Sequence, residues 1–342
     1  MTDESTPLGL FEGYGVEVEL MIVDVDTLDV KPVCDALMHA VAGAPVSDLE
    51  RGNVAWSNEL VLHVLELKTN GPWKHLAGIA TGFQENGRFA GEALRNLNAR
   101  LMPGAVHPWM DPALETRLWP HEFNDVYRTF DRIFGCSGHG WSNLQSTHVN
   151  LPFADDDEFA RLHAAIRLVL PLIPGLAAGS PYLDGRRGVD LDGRMRAYAG
   201  NAVRVPSVSG GIIPGPASTR REYEERILEP IYTDMVDLDP EGILRHEWVN
   251  ARGAIARFDR DALEIRVIDA QECMGSNLAV VAAIVQLVRA LTEGPLSTRD
   301  AGVDPQTESL RAVFDRAMAH GEHALVEDPK LLGVLGFGRS PV

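Results

Sequence analysis

Three short segments put carboxylates among apolar neighbours, and a fourth carries a histidine. Glu17 and Glu19 lie two apart in YGVEVELMIVDV (14–25). That alternating, β-branched run reads as a strand, so both acids point to one face, about 7 Å apart, with Val16, Val18 and Leu20 on the other. Glu66 is embedded in VLHVLELK, and Glu264 lies in ALEIRVID on the same face as Arg266. His148 and Asn150 share a face of QSTHVNLPF. A carboxylate costs several kcal/mol to bury unless it is paired or binds a cation. Oxygen-rich sites with one histidine suit Mg²⁺ or Mn²⁺, which keep waters and take substrate phosphates as further ligands. Acids on a strand face are more often merely solvated, a lone strand histidine is more often structural, and Glu264 with Arg266 could be a simple ion pair. Spacing alone leaves both readings open.

Other chemistries lack their signatures. No GxxxxGK[ST] is present, so a nucleotide is not held by a P-loop, and GYGVE is not a GxGxxG fingerprint. No GxSxG elbow occurs. Cys34, Cys136 and Cys273 have no metal spacing, and one is left over from any disulfide, which points to a reducing compartment. Cys136, beside Gly135, reads as structural. The formal net charge of −18 argues against nucleic acid. The N-terminus lacks the basic and apolar regions of a signal peptide, and no uncharged apolar run approaches the ~20 residues of a bilayer span. The expected location is cytoplasmic.

These side chains need strands to hold them. Residues 14–25, 56–70 and 143–152 read as strands, and 253–258 with 262–270 as a hairpin around 259–261. Helices are predicted from Pro72 to about 101, over 121–134, 155–170, 219–229, 276–292 and 306–325. The Pro- and Trp-rich stretch 105–120 reads as an ordered loop. Residues 179–218, rich in Gly, Pro and Arg, read as a long irregular segment that closes over the site, where Arg186, Arg187, Arg194, Arg196 and Arg204 could meet acidic groups. Strands and helices do not alternate regularly, which predicts an α+β fold with a largely antiparallel sheet in a single domain over 1–342.

Taken in order, the segments resemble the second glutamate–cysteine ligase family, the carboxylate–amine ligases related to glutamine synthetase. GVEVE resembles its first acidic strand, and SNELVLHVLELKTNGP its second, with Glu59 and Glu66 at the acidic positions. HPWMDP (107–112), ETRLWPHE (115–122), QSTHVNLPF (145–153), GSPYLDGR (179–186) and NARGAIARFDRDALEIRVIDAQEC (250–273) follow in sequence. The resemblance implies a curved antiparallel sheet with helices on its outer face, like the glutamine synthetase catalytic domain. It implies ATP and Mg²⁺ or Mn²⁺ on the inner face. Glu17, Glu19, Glu59, Glu66, His148 and Glu264 are then metal ligands. Glu264 and Arg266 are catalytic, Arg266 on the transferred phosphate, and Asn150 binds substrate or nucleotide.

The implied reaction is amide formation through an acyl phosphate, glutamate and cysteine being the first substrates to consider. Expected partners are amino acids and ATP, without nucleic acid or membrane; a homodimer stays open. Another amine or peptide acceptor, a guanidino-type phosphotransferase, and a metal- or nucleotide-sensing module remain as alternatives. One spacing does not fit a simple strand: Glu59 and Glu66 are seven apart, which on an unbroken strand puts them on opposite faces. Either Glu59 precedes the strand or a bulge intervenes.

Overall fold

In the computed structural model, which describes residues 7–294, 296 and 305–337, one antiparallel sheet carries the three acidic segments and the histidine-bearing one. Its strands are β1 (Gly15–Asp24), β2 (Asp48–Arg51), β3 (Val54–Asn58), β4 (Val64–Thr69), β5 (Ala99–Met102) and β6 (Ser146–Pro152). A separate hairpin, β7 (Tyr182–Leu183) with β8 (Arg186–Arg187), precedes the last two strands, β9 (Ala254–Arg257) and β10 (Ala262–Asp269). The order is β2-β3-β4-β1-β6-β10-β9, and β5 pairs with the far end of β1. The expected α+β sheet is therefore present, with β1 at its centre.

Alternation on β1 divides the two faces. Val16, Val18, Leu20 and Ile22 are fully or nearly buried on one of them. They join Leu65, Leu67, Val149, Leu151, Leu263 and Ile265 in the main core. Each such side chain contributes roughly 1.5–3 kcal/mol by leaving water. Helices α1 (Cys34–Ala42), α2 (Ile79–Arg95), α4 (Asp156–Val169) and α6 (Met274–Thr292) supply partner side chains to that core. Polar contacts fix the docking: Trp56 Nε1 donates to Asn86 Oδ1 of α2 at 2.9 Å, and Thr147 Oγ1 to Asn277 Oδ1 of α6 at 2.9 Å. Helix α3 spans Asn124–Phe134, α5 Gly193–Ala199 and α7 Thr307–His320. By length and composition alone, Asp156–Ala177 and Met274–Thr292 could each cross a membrane; here the first packs on β10, and the second packs on the first and on α2. All three cysteines are free.

Several sequence expectations need correction. The 56–70 run is two paired strands, β3 and β4, with a turn between them. The helix expected from Pro72 starts only at Ile79, because Trp73 exchanges backbone hydrogen bonds with Tyr14 and Gly78 is left-handed (φ 92°). That helix ends at Arg95, and residues 99–102, expected to be helical, form β5 by pairing with Met21–Asp24. The helix expected at 219–229 continues through a π turn to Met235. Residues 179–218 are largely ordered, with the β7–β8 hairpin, α5 and a short helix at Pro206–Ser209.

Helix α4 buries His163, which stacks on Phe159 at 5.4 Å. Burial and the Arg167 charge push its imidazole down to about 3. The ring is neutral when folded and takes up a proton when the unfolded chain is below pH 6.5. Its contribution is complete above that pH and is lost, by roughly 1.4 kcal/mol per unit, as pH falls toward 3. In denaturation at pH 7 and pH 5, His163→Phe should therefore lose about 2 kcal/mol less than the parent chain; parallel losses would contradict this.

Candidate active site

Strand register builds the site. Glu17 of β1 faces Lys68 of β4 on one side and His148 of β6 on the other. Glu19 faces Glu66, which in turn faces Ser57. Glu264 of β10 faces Asn150. Side chains across such pairs are about 5 Å apart at Cβ, so the acids converge because the hydrophobic face fixes the register. Donor atoms of Glu17, Glu66 and His148 lie within 4.8 Å of one another.

Around that trio the contacts are dense. Glu17 Oε2 lies 3.0 Å from His148 Nδ1, and its Oε1 accepts from Asn150 Nδ2 at 3.1 Å. Glu19 Oε2 accepts from Ser146 N at 2.6 Å and Ser146 Oγ at 2.9 Å. His148 Nε2 lies 2.8 Å from Ser146 Oγ. Ser57 Oγ donates to Glu66 Oε1 at 2.5 Å. Glu264 is 2% exposed and lies between two guanidiniums, Arg266 Nε at 2.8 Å and Arg257 Nη1 at 3.1 Å. The Arg266 Nε–H finds no hydrogen-bond acceptor despite that distance, so this contact is ionic.

Glu59 belongs to the turn after β3, which resolves the seven-residue spacing: it precedes β4. The turn is pinned to the loop at 117–119, where Leu62 N donates to Arg117 O and Trp119 N to Leu60 O. Glu59 and Glu66 therefore line the same cavity.

The electrostatics follow from crowding. Burial and the Glu66, Glu19 and Glu17 charges hold the Glu59 carboxyl well above its ordinary range. Burial and Glu17 push Glu66 up to about 7. Burial opposes ionisation of Glu17 too, but the His148 hydrogen bond and charge, with Arg260 and Arg266, hold it at about 2. His148 is raised, because Glu17, Glu19 and Glu264 outweigh its burial. That shift favours the charged imidazole, which offsets the surrounding carboxylates.

The cavity over this face measures about 670 Å³. On the strand faces the sequence pointed to one arginine, Arg266; Arg194, Arg257, Arg260 and Lys68 line the cavity with it. Lys68 was legible, two residues from Glu66 on the same strand. Arg257 followed from hairpin register, since Glu264 faces Ile255 and Arg257 shares that face. Of the five arginines in 179–218, Arg194 alone lines this cavity. Arg186 and Arg187 are exposed, Arg196 pairs with Asp190 at 2.9 Å, and Arg204 donates to the carbonyl of Ile133 at 2.8 Å. The segment stands as a wall of the cavity.

Arg194 is held from behind. A register shift between Ile265 and Ile268 sets Asp269 opposite Ser146, on the acidic face. Asp269 then accepts from Arg194 Nε at 2.5 Å, Ser180 Oγ at 2.7 Å and Gly179 N at 2.9 Å. Burial and the Asp269 charge raise the Asp192 carboxyl, which favours its neutral form. Gly193 permits the close docking, because a Cβ there would lie 2.4 Å from the Ser180 carbonyl oxygen. Arg194 Nη2 and Asn150 Oδ1 are buried without a hydrogen-bond partner among the described residues. They are open donor and acceptor valences, and the oxygen-rich set with one imidazole fits Mg²⁺ or Mn²⁺.

A family model described as glutamate–cysteine ligase family 2 matches residues 14–329. The chain belongs to this family of carboxylate–amine ligases. An uncharacterized protein of Archaeoglobus fulgidus is 32% identical over 320 residues, covering 90% of this chain and 85% of that one. A Bordetella parapertussis protein provisionally named glutamate–cysteine ligase 2 is 26% identical over 180 residues, covering 50% of this chain and 38% of that protein. The crystal structure of Francisella tularensis glutamate–cysteine ligase in complex with AMP aligns with a TM-score of 0.53 at 12% identity, covering 91% of this chain and 71% of that one. The glutamine synthetase-like fold expected from the family is thereby borne out.

Truncating Asp269 strands a buried guanidinium and a buried hydroxyl. Asp269→Ala should cost roughly 3–5 kcal/mol in chemical denaturation, with Arg194→Met in the same chain recovering part of the loss. An unchanged midpoint would show that the anchor is not formed.

Proposed function

We propose that the chain is an ATP- and divalent-cation-dependent carboxylate–amine ligase acting as one catalytic domain, with glutamate and cysteine as the first pair to test. One observation carries this reading: the cluster of Glu17, Glu66 and His148 and the cations Lys68, Arg257, Arg260 and Arg266 line one cavity. Carboxylates alone suit a cation, and cations alone suit an anion. Both together suit a metal-complexed triphosphate.

Glu17, Glu19, Glu59, Glu66, His148 and Glu264 would hold Mg²⁺ or Mn²⁺, which would neutralise phosphate charge. The chain's residues do the rest. Arg266, 25% exposed and aimed by Glu264, stabilises charge on the transferring phosphoryl group. Asn150 contacts substrate or nucleotide through its unpartnered Oδ1. Arg194 offers its free Nη2 to a carboxylate of the acid substrate. The reacting carboxylate attacks the γ-phosphorus, giving an acyl phosphate and ADP. An amine then attacks the acyl carbon and inorganic phosphate leaves. The cavity walls limit water, which would hydrolyse the acyl phosphate.

Phosphate release from ATP, measured with Mg²⁺ and a panel of acid and amine pairs, tests the reading. Glu66→Gln and Arg266→Lys should each lower it roughly 100-fold, the lysine because it lacks the planar fork. Turnover at the parent rate in either variant removes that residue from the chemistry. EDTA should stop the reaction in the parent chain. A stable phosphorylated product without added amine would instead indicate a phosphotransferase.

A further inference from the structure

Part of the cavity is not used by phosphate chemistry. Beyond Glu59 the lining turns aromatic, with Tyr127, Phe130, Trp141 and Trp248. The Phe130 ring lies 5.3 Å from Trp141 and 5.8 Å from Trp248. Tyr127 is fixed beside Glu59 by Asn58 Nδ2, which donates to its hydroxyl at 2.8 Å. Tyr127, Trp141 and Trp248 are only half-buried. An aromatic wall left partly open inside a cavity marks a ligand surface.

Charge assigns the two ends. Lys68 and Arg260 line both this cavity and an adjoining one of about 550 Å³, which Thr69, Asn70, Asp259 and Asp261 also border. Phosphates held at those cations would leave the adjoining cavity for the rest of the nucleotide. The aromatic end is left to an organic substrate. An acid is drawn to Arg194 and Arg266. Glu59 borders the aromatic wall, since Asn58 Nδ2 donates to both the Glu59 carbonyl and the Tyr127 hydroxyl, and its carboxyl suits an amine better than a second acid. Aromatic faces likewise favour an ammonium over a carboxylate.

We propose that the acceptor is a primary amine carrying an aromatic or bulky apolar group, laid along Tyr127, Phe130, Trp141 and Trp248 with its nitrogen at Glu59. This rests on the ligase reading above. A thiol side chain as small as that of cysteine would leave most of the wall bare. The ammonium first loses one proton to water. The free amine then forms the C–N bond to the acyl carbon as the C–O bond to phosphate breaks. Phosphate departs with that electron pair and takes the nitrogen's surplus proton, giving amide and hydrogen phosphate.

The test uses the full chain with ATP, Mg²⁺, a panel of amino-acid and dicarboxylate donors, and hydroxylamine, a small acceptor that traps an acyl phosphate as a hydroxamate. The donor that yields hydroxamate is then paired with phenethylamine, ethylamine and cysteine, and the products are weighed by mass spectrometry. Phenethylamine should exceed the other two by tenfold or more in kcat/KM. Trp248→Ala should lower the phenethylamine-to-hydroxylamine ratio of kcat/KM tenfold or more, with Trp248→Phe recovering most of it. Cysteine used as well as or better than phenethylamine, or an unmoved ratio in Trp248→Ala, overturns the inference and leaves the ligase reading standing. Competition of phenethylamine with ATP overturns it too, giving the wall to adenine. Absence of hydroxamate with every donor overturns the ligase reading, and the inference with it.

Discussion

Like charges brought together on one face of a sheet govern this structure. Two carboxylates about 4 Å apart repel by about 4 kcal/mol at an effective dielectric constant of 20, and burial adds a desolvation cost to each. Glu17, Glu19, Glu59, Glu66 and Glu264 all line one cavity. The chain offsets this with a histidine raised toward its charged form, guanidiniums on both oxygens of Glu264, and upward shifts at Glu59 and Glu66. Each lowers the repulsion, as a divalent cation bound among the acids would.

The opposite face makes the arrangement hold. Val16, Val18 and Leu20 lock the register of β1 in the core, and a slip of one residue would turn Glu17 and Glu19 into that core. Central placement gives β1 neighbours on both sides, so one strand collects Lys68, Glu66 and His148 by pairing alone. The irregularity in β10 adds Asp269 to the same face, and through it Arg194, from a helix 75 residues earlier in the chain.

Much of this was legible because a strand has a period of two. Glu17 with Glu19, His148 with Asn150, and Glu264 with Arg266 follow from alternation, and the hairpin 253–270 was visible in its turn residues. What escaped had non-local causes. β5 is a strand only because β1 offers it a partner; ARLM carries no strand pattern of its own. The break between β3 and β4 depends on backbone pairing with residues 117–119, 55 or more positions away. Asp269 sits at odd spacing from Glu264 and is recruited by a register shift that no pattern announces. Arg194 could not be told from four other arginines nearby until Ser180 and Asp269 were seen to hold it. The aromatic wall draws on α3, residues 141–144 and residues 243–249, which only the tertiary fold assembles.

The account stands or falls on whether the acidic face takes up divalent cations. Electron paramagnetic resonance of Mn²⁺ added to the metal-free full chain measures this directly, before any substrate is known. The account predicts saturable uptake of Mn²⁺, weakened roughly tenfold or more when Glu17 is replaced by Gln. Mn²⁺ that stays free in solution at millimolar concentration, or binds the Glu17→Gln chain equally well, would contradict it.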